Sequence, residues 1–215
     1  MTRLLASILF LLAAVAPTPG WAAADMAALS PDDSAAVQRA VRYLQGITTL
    51  RARFVQISSN GAYAEGQVLV KRPGKMRFEY DPPHPALIIA DGLTLLFYDR
   101  ELKQATFVPL WETPLWFLIR EEIELSDDLR VVEVERGFGT LRVTLQDRER
   151  AEAGIVTLVF ADQPLALKRW DLVDAQGVLT QVSLVNPEFG VEIGSEAFET
   201  GRSRLDTLPD QRPSR

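Results

Sequence analysis

Between residues 66 and 110 the chain carries about five short apolar or alternating runs at even spacing, separated by turn signals. That rhythm leaves room for little besides a tightly connected antiparallel sheet. Pro73-Gly74, Pro82-Pro83 and Asp91-Gly92 punctuate it, with Asn60-Gly61 just ahead, and Asp-Gly between two apolar runs is among the best short hairpin signals. The pattern predicts strands over 50–57, 67–72, 75–80, 87–90, 93–98 and 103–108. Met76, Phe78 and Tyr80 alternate with Lys75, Arg77 and Glu79, so one face of that strand is wet, whereas 87–90 is apolar on both faces. Counting along Val68, Val70 and Arg72 puts a guanidinium on the face of two valines.

Helix signals are few. Ser30-Pro31-Asp32-Asp33 combines a capping serine, proline at the first helical position and carboxylates where the helix dipole favours them. Val37, Ala40, Val41 and Leu44 then form one narrow apolar stripe that Gly46 ends, so this helix lies on something rather than being surrounded. Thr113-Pro114 repeats the cap-plus-proline start before Leu115, Trp116, Phe117, Leu118 and Ile119, a short helix apolar all round. Glu121, Glu122, Glu124, Asp127 and Asp128 read as a solvated connection after it. Further strands are predicted over 130–134, 140–146, 155–160, 165–172, 178–185 and 191–193, and a polar tail over 199–215.

The first 24 residues read as a secretory leader: Arg3, an apolar stretch over 4–15, and Ala22-Ala23-Ala24 as a small-residue cleavage site before Asp25. Without those 24 the 215-residue chain keeps 191, one domain over 25–198 plus the tail. Only Arg3 is lost from 23 basic and 29 acidic side chains, leaving 22 against 29, a charge of −7. An acidic chain is a poor partner for nucleic acid or an anionic membrane surface. With no cysteine it has no disulfides and no residue to carry an N-terminal lipid, so the expectation is an exported, soluble, monomeric protein.

About eleven antiparallel strands with one apolar face must curl. Two short helices are little to fill the concave side. Sequence leaves open whether the sheet closes on its own side chains or keeps an apolar cavity for a hydrophobic guest. Catalysis finds little support. His84, between Pro83 and Pro85, is the sole histidine; no second metal ligand stands at the right spacing, and a serine hydrolase would have to recruit it. Asp32-Asp33 and Asp127-Asp128 are better explained as a helix start and a loop. No cofactor is called for.

At Lys71-Arg72-Pro73-Gly74, then Met76-Arg77-Phe78-Glu79-Tyr80, Asp91-Gly92, Phe97-Tyr98 and Gln104-Ala105, the sequence resembles the LolA family of periplasmic lipoprotein carriers. Phe54-Val55-Gln56, Thr113-Pro114-Leu115, and Trp170 with 174–180 extend the likeness, which ends near Phe198 without the family's aromatic-proline ending. The resemblance implies an α+β, mainly antiparallel fold: an incomplete, half β-barrel of about eleven strands with a short helical lid over a concave apolar cavity. It implies that Arg72 bonds to lid backbone and latches the carrier closed. Arg72 could also be a strand-end arginine whose head reaches water. The implied lining for acyl chains is Phe54, Val68, Val70, Met76, Phe78, Tyr80, Leu87, Ile89, Leu95, Phe97, Leu115, Trp116, Phe117 and Leu118. The implied partners are lipoprotein acyl chains, an inner-membrane lipoprotein-releasing transporter and an outer-membrane lipoprotein receptor. A periplasmic lipid-binding sensor of related fold is the competing reading, and a serine-type hydrolase a distant third.

Overall fold

A computed structural model describes residues 29–113, 116–123, 129–151 and 154–201, with Phe117 as backbone only. The expected leader over 1–24, most of the acidic loop and the tail beyond Gly201 lie outside the described residues.

Helix α1, Pro31–Gln45, begins as its sequence prescribes. The Ser30 hydroxyl accepts the Asp33 N–H, Pro31 sits in the first turn, and Asp32 and Asp33 face the positive end of the dipole. Ala36, Val37, Ala40 and Leu44 are its buried residues, while Val41 is only half-buried.

Eleven strands follow: β1 Thr49–Ser58, β2 Tyr63–Lys71, β3 Lys75–Tyr80, β4 Ala86–Asp91, β5 Thr94–Asp99, β6 Gln104–Pro109, β7 Leu129–Gly137, β8 Thr140–Asp147, β9 Gly154–Asp162, β10 Leu165–Asp174 and β11 Leu179–Phe189. They form one antiparallel sheet in the order β6-β5-β4-β3-β2-β1-β11-β10-β9-β8-β7. Each half is a meander, the halves join where β1 pairs with β11, and among the described residues β6 and β7 remain as unpaired edges. Between β6 and β7 run a 3-10 turn, Leu110–Glu112, and helix α2, Trp116–Ile119. The segment 191–193, expected as a strand, is not one. It continues from β11 as an irregular strap ending in a second 3-10 turn, Ser195–Phe198.

The sheet is strongly curled. Four strand steps separate β3 from β10, about 19 Å along a flat sheet, yet the rings of Phe78 and Trp170 meet edge to face at 6.1 Å. The concave face holds the large core, in which Phe54, Val68, Leu141 and Phe160 have no exposed surface. The Phe54 ring packs on Phe78 and Tyr80, each 5.1 Å away. It lies over Gly66, where an added Cβ would fall 2.1 Å from the Glu79 carbonyl oxygen and 2.7 Å from the ring, so only glycine fits.

Helix α1 sits in this concavity, fastened mainly to the β7–β10 half. Arg39 pairs with Asp162, Asp33 takes Arg136 at 3.0 Å, and the Tyr43 hydroxyl accepts the Leu167 N–H at 3.2 Å. Tyr43 also meets Phe160 edge to face at 5.9 Å.

A second, smaller cluster lies on the convex face of the β2–β5 half. Leu87, Ile89, Leu96 and Tyr98 pack there with Ile193 and Phe198 from the strap. Because successive strand residues face opposite ways, β4 serves both clusters: Ala86, Ile88 and Ala90 inward, Leu87 and Ile89 outward.

Candidate functional site

Of the expected lining residues, Phe54, Val68, Met76, Phe78 and Tyr80 are buried together on the concave face, with Val70, Leu95, Trp116 and Leu118 half-buried against them. The described concave side chains form one packed cluster although the sheet stays open. Two residues are corrected: Leu87 and Ile89 face the convex side beneath the strap and line no concave space. Phe97 points inward in register with Ile88, but it lies next to edge strand β6 and is 43% exposed, so it marks a rim rather than a lining. Leu115 and the Phe117 side chain lie outside the described residues.

Tyr80 is deeply enough buried that its phenol is pushed up to about 12, with its hydrogen bond to Gln56 Oε1 (2.8 Å) acting the other way. It therefore stays neutral and anchors the ring rather than ionising.

The polar element of the site is the turn from β2 to β3. Arg72 places its guanidinium where two helix C-termini converge. Its Nη1 donates to the carbonyls of Leu44 (2.7 Å) and Ile47 (3.4 Å) at the end of α1. Its Nε and Nη2 donate to Arg120 O (3.0 and 2.8 Å), and Nη2 also to Glu121 O (2.9 Å), just past α2. Helix ends leave their last carbonyls without intrahelical partners, and a cation completes them and complements the dipole. The fork of five N–H donors suits this better than a lysine would. Burial pushes the guanidinium's pKa down from its ordinary value. Among the described residues, its hydrogen-bond acceptors are all carbonyls.

Two ties missed by sequence reasoning strengthen the seam. The Gly74 N–H donates to Ile119 O at 2.5 Å, so this turn grips three successive carbonyls from the last residue of α2 onward. Gly74 must be glycine: its φ is +74°, and an added Cβ would meet Gly92 Cα at 2.8 Å. Gln45 Nε2 donates to Ile123 O at 3.1 Å, tying α1 directly to the segment after α2. A cleft of ≈ 410 Å³ opens along this seam, with Val37, Val41 and Ile123 as its apolar floor and Arg42 and Gln45 beside it. The Pro-Gly turn was the available signal for Gly74; nothing local marked Gln45.

Lys71, one residue before Arg72, faces the other side. Its Nζ donates to Ile193 O (2.8 Å) and Ser195 Oγ (3.4 Å) of the strap. Arg77 Nη1 adds a bond to Ala197 O (3.1 Å), and Thr200 Oγ1 donates to Asp91 Oδ2 (3.3 Å), so the first residues of the expected tail are fastened. Glu79 accepts from Arg77 (2.9 Å) and Arg100 (2.6 Å). Burial alone would raise its pKa, but the two arginines outweigh that and hold it below the usual carboxylate value.

His84 stacks on Tyr80 at 4.6 Å, and its Nδ1 accepts the Ala86 N–H at 3.3 Å, which gives it a structural place. Among the described residues no helix is long and apolar enough to cross a membrane, and no group of three or more His, Cys, Asp or Glu is placed to hold a metal.

The sequence matches the family described as "Outer membrane lipoprotein carrier protein LolA" over residues 45–200. An outer-membrane lipoprotein carrier protein of Pseudomonas paraeruginosa is 35% identical over 115 residues, and there the chain spans 55% of the relative's length and the match covers 49% of the chain. One of Methylococcus capsulatus is 25% identical over 194 residues, covering 86% of this chain and 90% of that one. A LolA superfamily protein of known structure from Nitrosomonas europaea covers 76% of this chain and 97% of its own, at 12% identity and a TM-score of 0.45, too loose a likeness to compare residue by residue.

Proposed function

We propose, from the premise that this chain belongs to the LolA family of outer membrane lipoprotein carrier proteins, that it is itself such a carrier, working in the periplasm. It takes lipoprotein acyl chains from an inner-membrane releasing transporter, shields them on the concave face of the half-barrel and delivers them to a receptor at the outer membrane. It binds and releases rather than catalyses.

The observation that carries this reading is the Arg72 guanidinium, which closes α1 and α2 over the apolar face through five hydrogen bonds to four carbonyls. A carrier must shield acyl chains and still let them go. At about 0.8 kcal/mol per buried CH₂, one long chain gains about 10 kcal/mol on leaving water, and a rigid pocket would hold it too well. On this reading the empty carrier packs its concave side chains on one another. Loading must displace Phe54, Phe78 and their neighbours, lift the helices and break the Arg72 bonds. Those losses offset part of the transfer gain and leave a cargo that can be passed on. Arg72 is thus the latch, and the lining comprises Phe54, Val68, Val70, Met76, Phe78, Tyr80, Leu95, Trp116 and Leu118.

The test is handover. Arg72→Leu should load lipoprotein from inner-membrane vesicles as well as wild type or better, yet pass it poorly to outer membranes, because the empty state it returns to has lost its stabilising bonds. Transfer at the wild-type rate by that variant would sink the latch.

A further inference from the structure

Arg72 fastens only one side of the lid segment. The other side, where the chain leaves β6, meets a different arginine. Arg150 lies in the loop between β8 and β9, and its Nη1 donates to the carbonyl of Trp111 in the 3-10 turn ahead of α2. In the order of the sheet, β6 is one edge and β8 lies one strand from the other, so this bond spans the unclosed side of the half-barrel. Arg72 ties the segment to the end of β2, and Arg150 ties it to the opposite half.

The arginine is held for this contact. Asp147 Oδ2 accepts from Arg150 Nε (3.1 Å) and Nη2 (2.7 Å), leaving Nη1 to point at Trp111. Asp147 Oδ1 accepts the N–H groups of Glu149 (2.9 Å) and Arg150 (3.0 Å), a side-chain-closed turn that fixes the loop. Gln146 continues the support: its Nε2 donates to Ala151 O at 3.1 Å while its Oε1 accepts from Arg130 Nε at 3.1 Å. A carboxylate fixes the guanidinium plane, and the remaining edge of the fork is aimed at one carbonyl.

We propose that Arg150, oriented by Asp147, is a second fastening of the lid and sets how fast it opens toward the unclosed side. It is a positioning residue, and the inference rests on the carrier reading above. The lid then has two ends with separate locks. Releasing Arg150 loosens the turn between β6 and α2, which buried Leu110 still joins to the sheet through its N–H bond to Leu93 O, while Arg72 holds the segment past α2, so the lid loosens first at its entry. The exposed Trp111 side chain stands in that turn.

Hydrogen exchange on the mature, unliganded protein tests this directly. The Thr113, Trp116 and Arg120 amides, bonded to Leu110 O, Thr113 O and Trp116 O, report lid opening. Arg150→Gln should speed exchange at Thr113 and Trp116 about tenfold, the scale of one lost charge-assisted hydrogen bond, and change Arg120 less. Arg150→Lys should restore part of the protection, and Asp147→Asn should mimic the loss with Arg150 intact. In stopped flow, a fluorescent diacylglyceryl lipopeptide should load faster into Arg150→Gln, with the thermal midpoint nearly unmoved. Unchanged exchange at Thr113 and Trp116 in Arg150→Gln, in a protein where Arg72→Leu speeds exchange at Arg120, would overturn the second fastening. Failure of wild type and both variants to bind the lipopeptide would instead overturn the carrier reading, and the exchange data would still decide whether Arg150 fastens the lid.

Discussion

The half-barrel wears a cover on each face, and the two are built from the same interaction in different proportions. The helical lid on the concave face and the C-terminal strap on the convex face both hang from cationic side chains that donate to backbone carbonyls. The two leading donors are neighbours, Arg72 for the lid and Lys71 for the strap. They face opposite ways because consecutive residues at a strand end do.

What differs is how the fastening is shared. At the lid seam one guanidinium makes five of the bonds, so one displacement undoes most of them. The strap spreads its bonds over Lys71, Arg77 and Arg51, and adds Phe198, 2% exposed, seated on Leu87, Ile89 and Leu96. On the carrier reading proposed above, the concentrated fastening serves as a switch and the distributed one as a fixture. Each cover has an apolar anchor, Phe198 for the strap and Ile119, equally buried, for the lid, so the contrast lies in how the polar bonds are shared.

The largest effect should come from the strap's anchor. Phe198→Ala removes a buried ring and leaves a cavity, so urea unfolding should show a loss of about 3–5 kcal/mol. A loss as small as that of a surface substitution would mean the strap is no fixture. Arg72→Leu should cost less, about 1–3 kcal/mol, because it orphans half-buried carbonyls rather than emptying a core. Its signature is local: fast exchange at Arg120 with a modest change in the global midpoint. Lys71→Ala should cost about 1 kcal/mol or less, since Arg77 and Phe198 still hold the strap, and limited proteolysis of the strap should rise only slightly.

Acid should separate the two covers with the smallest effect. Beneath the strap, Glu79 is held low by Arg77 and Arg100 against the opposing effect of burial. Asp91 is held low by the Thr94 and Leu93 N–H groups and the Thr94 and Thr200 hydroxyls, again against burial. Carboxylates with depressed folded values contribute stability that is full above the unfolded values, about 4 for Asp and Glu, and is lost as pH falls through the folded ones. The carbonyls that receive Arg72 do not titrate. Between pH 5 and 3 the strap should therefore loosen first, seen as faster exchange or cleavage near 193–200, while exchange at Arg120 holds. The reverse order would break the comparison.

The sequence made much of this legible, and its failures have local causes. Helix α1 and its Ser30 cap, the strands of both meanders and the inward Met76-Phe78-Tyr80 face all follow from capping and alternation. Arg72 stood out because charge interrupts an apolar face. Leu87 and Ile89 were misplaced because β4 is apolar on both sides, so alternation carries no information about which side faces the concavity. What covers its outer side arrives about a hundred residues later as Ile193 and Phe198. That strap makes no ladder, so 191–193 kept the apolar content of a strand without its partners. Arg150 left no trace at all, since an arginine three residues from the carboxylate that orients it and 39 from the carbonyl it reaches looks like any solvated loop residue.

The unpaired edges β6 and β7 have one more consequence. In a closed barrel, strand number and shear fix the circumference, so the interior has one volume. A sheet that never closes has no final ladder to break when it widens. Its girth is a soft coordinate, set by twist and by side-chain contacts across the gap, and the room inside can grow to the size of what enters.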